Sequence, residues 1–121
     1  MILVDTSVWV EHLSRTAPAL KAFLEHGDIL IHPFVRGEIA LGDLKSRHEI
    51  LSLLAALPAA TDVSDEEVLY FIDHQKLYGR GIGWVDVHLL ASAKLMGCAV
   101  WSLDKSFVAT AKALKIHCYS H

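Results

Sequence analysis

Short aliphatic runs alternate along this chain with longer stretches of helical period, and turn residues separate them. Ile2-Leu3-Val4 is too short for a helix and suits a fully buried strand. It ends abruptly in Asp5, after which Thr6 or Ser7, or Asp5 itself, is placed to cap a helix carrying Val8, Trp9, Val10 and Leu13. Thr16-Ala17-Pro18 opens a second helix through Leu20, Phe23 and Leu24, stopped by Gly27. Residues 28–32 read as a second strand closed by Pro33. A third helix carries Phe34, Val35, Ile39 and Leu41, with Glu38 flanking its apolar stripe, and ends at Gly42. Residues 43–57 read as a fourth helix stopped by Pro58, and residues 60–63 as a short third strand. Ser64 and Glu67 stand at capping-box spacing before a fifth helix that runs to about residue 77. A loop with three glycines in residues 79–83 precedes a strongly apolar helix over 84–95, with Asp86 in its first turn. Residues 98–102 read as a fourth strand that runs on into Asp104, much as the first runs into Asp5. A seventh helix over 108–114 and a short last strand over 116–119 follow.

This alternation predicts an α/β fold, with a central parallel sheet of four to five strands covered by helices on both faces. Right-handed crossovers and a central first strand give the order 3-2-1-4-5. The 121 residues allow one domain, residues 1–121. Ligands bind open parallel sheets at the switch point beyond the carboxyl ends of the strands. Here that point lies between strands one and four, which lead into Asp5 and Asp104. Glu38 follows the second strand, and Asp86 opens the helix leading into the fourth, so both are candidates for the same crevice.

Composition narrows the classes. The chain is 53% hydrophobic, yet no apolar stretch approaches the ~18–20 residues of a membrane span. The apolar excess is instead expected to face a partner chain, for which the helices within residues 43–77 are candidates. The chain begins with a strand rather than a basic region and an apolar core, so no signal peptide is read. Two cysteines, Cys98 and Cys118, fit a reducing, cytoplasmic setting. A net charge of −3 is not the footprint of bulk nucleic-acid affinity, though acids gathered on a cation make that count misleading. The eight histidines show no helical ligand spacing and read as surface or packing residues.

Carboxylates that face one another repel, which raises their pKa values and opposes folding. A hard divalent cation resolves the conflict, and all-oxygen donors suit Mg²⁺, with Mn²⁺ as a substitute. Such a cation lowers the pKa of a bound water and neutralises charge on a phosphodiester oxygen. The glycine loop has no GxGxxG and no Gly-Lys-Ser/Thr, and no serine–histidine pair has motif context. Metal-assisted phosphodiester hydrolysis is the reaction that best uses the acids present.

Residues 4–9 (Val-Asp-Thr-Ser-Val-Trp), Glu38 after Arg36-Gly37, residues 81–91 (Gly-Ile-Gly-Trp-Val-Asp-Val-His-Leu-Leu-Ala) and residues 102–107 (Ser-Leu-Asp-Lys-Ser-Phe) together resemble the PIN-domain ribonucleases. More narrowly, they resemble the VapC-type toxins of bacterial toxin–antitoxin pairs. The resemblance spans nearly the whole chain. It implies a metal-dependent endoribonuclease whose Mg²⁺ site is made by Asp5, Glu38, Asp86 and Asp104, with Asp5 and Asp86 the strongest ligands. It places Ser102 where a small hydroxyl residue orients the nucleophilic water. Some relatives carry a further acid shortly after the Asp104 position; Lys105, Ser106 and Phe107 stand there instead, which weighs against a second firmly held metal. The resemblance also implies a homodimer, and an antitoxin that blocks the site, often with a basic side chain. No membrane association is expected, and no direct DNA binding without the antitoxin. Thr6, Arg36, Arg80 and Lys105 lie close in sequence to site acids and are candidate RNA contacts.

Two other readings are open. A receiver-type phosphoacceptor domain fits the length and alternation, but it needs an acidic pair after strand one, where Asp5 stands alone, and an acceptor after strand three, where only Asp62 is available. A catalytically inactive PIN-like binding module is the third reading, against which the four acids argue.

Overall fold

A computed structural model describes residues 1–15 and 18–120. In chain order the elements are β1 (Ile2–Val4), α1 (Thr6–Ser14), α2 (Pro18–Glu25), β2 (Ile29–Leu30), α3 (Pro33–Ala40), α4 (Arg47–Ala56), α5 (Asp65–Gln75), α6 (Trp84–Met96), β3 (Ala99–Trp101) and α7 (Lys105–Ala113). The expected entry to α2 at Thr16 and Ala17 lies outside the described residues. β1 is central and parallel to both neighbours, with Leu3 level with Leu30 on one side and with Val100 on the other. The fold is α/β, a parallel sheet with flanking helices, as expected.

The outer strands are shorter than the sequence suggested. The expected strand over 60–63 is a single parallel bridge between Ile31 and Ala59. Ala60 N–H still donates to Ile31 C=O, but Thr61 has other partners: its N–H points to Met96 Sδ, and its C=O accepts from Ser92 Oγ at 2.7 Å. Those backbone groups are therefore spent on α6 rather than on a ladder. The expected strand over 116–119 is likewise one bridge, between Val100 and Cys118. The two bridges flank β2 and β3, so the spatial order 3-2-1-4-5 holds with edge strands reduced to single pairings.

Helix ends shift for local reasons. Of the three candidate caps of α1, Asp5 is the one used, because it has extended backbone and its Oδ1 accepts from Thr6 N–H. α4 begins at Arg47 rather than at residue 43, since Ser46 is left-handed at φ 54° and cannot lie inside a right-handed helix. α7 begins three residues early because Asp104 caps it through Phe107 N–H. The Ser64–Glu67 capping box is present as expected.

The core forms where β1 and β3 meet α6 and α7. Leu3, Val4, Leu89, Leu90, Val100 and Phe107 are all buried. In α6 every residue from Val87 to Ala93 is buried, so burial there outweighs any amphipathic pattern. Each fully buried leucine contributes about 2 kcal/mol. Among the described residues, no helix is long and apolar enough to cross a membrane.

Candidate active site

Asp5 sits at the carboxyl end of β1, and its backbone N–H donates to Trp101 C=O of β3 at 2.9 Å. Its side chain is 6% exposed, a depth at which a carboxylate needs partners. Oδ1 accepts from Thr6 N–H, and Oδ2 accepts from both Ser7 Oγ at 2.8 Å and Ser102 Oγ at 2.7 Å. Each hydroxyl is itself held. Ser7 Oγ accepts from Leu103 N–H, and Ser102 Oγ accepts from Asp104 N–H, both at 3.0 Å. One network thus joins the end of β1 to the turn after β3. Ser102 has spent its only proton on Asp5, so its effect here is to position that carboxylate.

The other acids arrive from separate elements. Asp104 caps α7, and Asp86 reaches back from the first turn of α6 toward Gly83 N–H at 3.4 Å. Asp5, Asp86 and Asp104 therefore stand at the positive ends of three helices, which favours their anionic forms. Glu38, exposed on α3, accepts from Thr6 Oγ1 at 2.7 Å. Burial raises the Asp86 pKa above the ordinary carboxylate value. The Gly83 N–H opposes this, and the charges of Asp5, Asp104 and Glu38 add to the rise. All four acids thus act on one region, at the carboxyl end of the sheet. Their oxygens are more widely spaced than a tight ligand cluster. Among the described residues, only His32, Asp62 and His88 bring three potential ligand atoms within 4.8 Å of one another.

Arg36, Arg80 and Lys105 are all exposed. Lys105 follows Asp104 as the first residue of α7, and Arg36 lies two residues before Glu38 on α3. Sequence reasoning missed the role of Ser7 toward Asp5. The Asp-Thr-Ser order was its signal, since a hydroxyl two residues past an N-cap can fold back on it.

Residues 2–113 match the family model of the PIN domain. The chain belongs to the PIN-domain family. Ribonuclease VapC32 of Mycobacterium tuberculosis is 45% identical over 106 residues, which make up 87% of this chain and 86% of that protein. The kinship within the PIN family is thus with the VapC type, as residues 4–9, 81–91 and 102–107 suggested. Two solved structures share the fold. PAE2754 from Pyrobaculum aerophilum gives a TM-score of 0.67 at 17% identity, across 97% of this chain and 87% of that one. FitAcB from Neisseria gonorrhoeae gives 0.64 at 21% identity, across 99% and 97%.

Proposed function

We propose that this PIN-domain protein is a metal-dependent endoribonuclease, the toxin of a toxin–antitoxin pair, acting as a single domain over residues 1–121. The observation that carries the reading is the approach of Asp5, Glu38, Asp86 and Asp104 from four elements to one end of the sheet. Kinship to a protein named Ribonuclease VapC32 supports the choice of RNA as substrate. The donor set is all oxygen, and its mutual repulsion, felt at Asp86, is what a divalent cation relieves. Asp5 and Asp86 would hold that cation most directly, with Glu38 and Asp104 completing the site.

A divalent cation held by these acids, Mg²⁺ or Mn²⁺, would supply charge neutralisation for the carboxylates and the scissile phosphate and would make water a better nucleophile. The protein's own groups do the positioning. Three donors fix the plane of Asp5, and Thr6 Oγ1 fixes Glu38. Hydrolysis forms one phosphorus–oxygen bond to water and breaks the one to the leaving ribose oxygen. Arg36, Arg80 and Lys105 would meet RNA phosphates around the acids. A cognate antitoxin would cover the acids with a basic side chain, and two copies of the chain would pair through their apolar helices.

The phosphoacceptor reading loses its acceptor. Asp62 is exposed beside His32 and His88, in the segment that pairs with β2 and not with β1. The deciding experiment is cleavage of structured RNA by the purified chain with Mg²⁺, beside Asp5→Asn and Asp86→Asn. The reading expects endonucleolytic products from wild type and none from either variant. Wild-type activity in Asp5→Asn would overturn it.

A further inference from the structure

Two of the histidines are neither surface residues nor satisfied packing residues. His32 is 0% exposed and His88 is 1% exposed. His32 stands where β2 ends, and its Nδ1 accepts from Phe34 N–H at 3.0 Å to cap α3. Its Nε2 is buried with no hydrogen-bond partner. His88, on α6, has a buried Nδ1 without a partner. Its Nε2 lies 3.2 Å from Asp65 Oδ1, but out of line for a hydrogen bond. Phe34 and Trp84 pack edge-on against the His88 ring with centroids 4.6 and 4.7 Å away. Unpartnered ring nitrogens in such a dry setting are costly unless something meets them. The exposed carboxylate of Asp62 completes a group whose ligand atoms all lie within 4.8 Å of one another.

The geometry points to a second metal site, made by His32, His88 and Asp62, that takes a borderline divalent ion of the Zn²⁺ class. Two imidazoles and a carboxylate suit Zn²⁺, whereas the all-oxygen acid group suits Mg²⁺. Zinc–nitrogen bonds of about 2.0–2.1 Å put tetrahedral ligands about 3.4 Å apart, so a group within 4.8 Å need contract by no more than roughly 1.4 Å. Asp62 is exposed on the connection between α4 and α5 and can supply that movement. With Nδ1 capping α3, the neutral His32 ring carries its proton on Nε2; an ion taken at Nε2 shifts that proton to Nδ1, and the hydrogen bond from Phe34 N–H is given up. Asp65 supplies a carboxylate behind His88, a common outer partner of metal-bound histidine. The ion would tie together α3, α6 and the connection that holds Asp62. Because α3 carries Glu38 and α6 carries Asp86, its role would be structural, bracing two arms of the acid site.

The test uses the full-length Asp5→Asn/Asp86→Asn protein in excess Mg²⁺, which disables the acid group and leaves the histidines intact. Equilibrium dialysis with Zn²⁺ is paired with visible absorption of the Co²⁺ form and NMR of the His32 and His88 ring protons. The expected result is one ion per chain, with both rings perturbed. His88→Gln removes binding, and Asp62→Asn weakens it at least about tenfold. Asp62 is exposed, so its variant keeps the fold even where His88→Gln does not. No Zn²⁺ bound, binding lost with the acid pair alone, or binding unchanged by Asp62→Asn would each overturn the site. RNA cleavage is not read, so failure here is distinct from failure of the nuclease reading.

Discussion

Ser102 Oγ donates to Asp5 Oδ2 across 2.7 Å, linking residues 97 apart in the chain. The contact is buried, and Ser7 donates to the same oxygen. Two hydroxyls on one carboxylate oxygen hold Asp5 in a single orientation and leave its charge facing the other acids. Replacing Ser102 by Ala removes one of those donors and strips Asp104 N–H of its acceptor. Ser102→Ala is expected to lose about 1–2 kcal/mol of stability in urea denaturation and at least about tenfold in RNA cleavage. Ser102→Thr, which keeps the hydroxyl, should restore most of the activity. Equal activity in wild type and Ser102→Ala would remove any positioning role.

Asp86 gives a second test. Its pKa is raised, first by burial and then by the like charges of Asp5, Asp104 and Glu38. An acid with a native pKa above its unfolded value binds protons more tightly when folded. Stability from this group therefore falls as pH rises from the ordinary carboxylate value through the raised native one. In EDTA at pH 7, Asp86→Asn should melt roughly 2–5 °C above wild type, and the gap should close below pH 4. Added Mg²⁺ should raise the wild-type melting temperature and leave the variant unchanged. A variant less stable than wild type in EDTA would show that the carboxylate is not under charge strain.

His32 sets the opposite slope. Its native pKa is pushed down to about 4 from 6.5, mainly by burial, so the unfolded chain binds the extra proton first. Stability is whole above pH 6.5 and is lost as pH falls toward 4, by up to about 3 kcal/mol. Asn also caps helices well and does not titrate. In EDTA, His32→Asn should flatten the dependence of the urea midpoint on pH between 4 and 6.5. An unchanged slope would place the titration elsewhere.

Thr6 isolates Glu38. The Thr6 Oγ1 to Glu38 Oε1 contact is exposed, so Thr6→Val should cost under about 1 kcal/mol. The expected effect is on metal affinity, weakened about threefold to tenfold by calorimetry, because Glu38 loses the group that orients it. A stability loss with unchanged metal affinity would assign Thr6 to the fold alone.

Much of the acid site was legible because it uses local rules. A three-residue aliphatic run that stops at Asp5, and another that leads through Ser102 to Asp104, place acids at strand ends in any parallel sheet. The Gly-rich entry to Asp86 and the capping box at Ser64 are equally local, since each is set by residues within a turn of one another. The cap of α1 stays open in the sequence because Asp5, Thr6 and Ser7 are all competent caps, and only the backbone of Asp5 decides among them.

By itself the sequence determined the α/β alternation, the central strand and the acids that end its strands, because hydrophobic period and chain order act over a few residues. Tertiary structure alone decided that Ser102 reaches the Asp5 oxygen, and that Thr6 holds Glu38. It also turned Thr61 away from the sheet and buried His32 and His88 with unmet nitrogens. Those pairings join residues 31 to 97 positions apart, or set one backbone group against another for the same partner. Their outcome depends on where packing brings the elements, which no window of sequence contains.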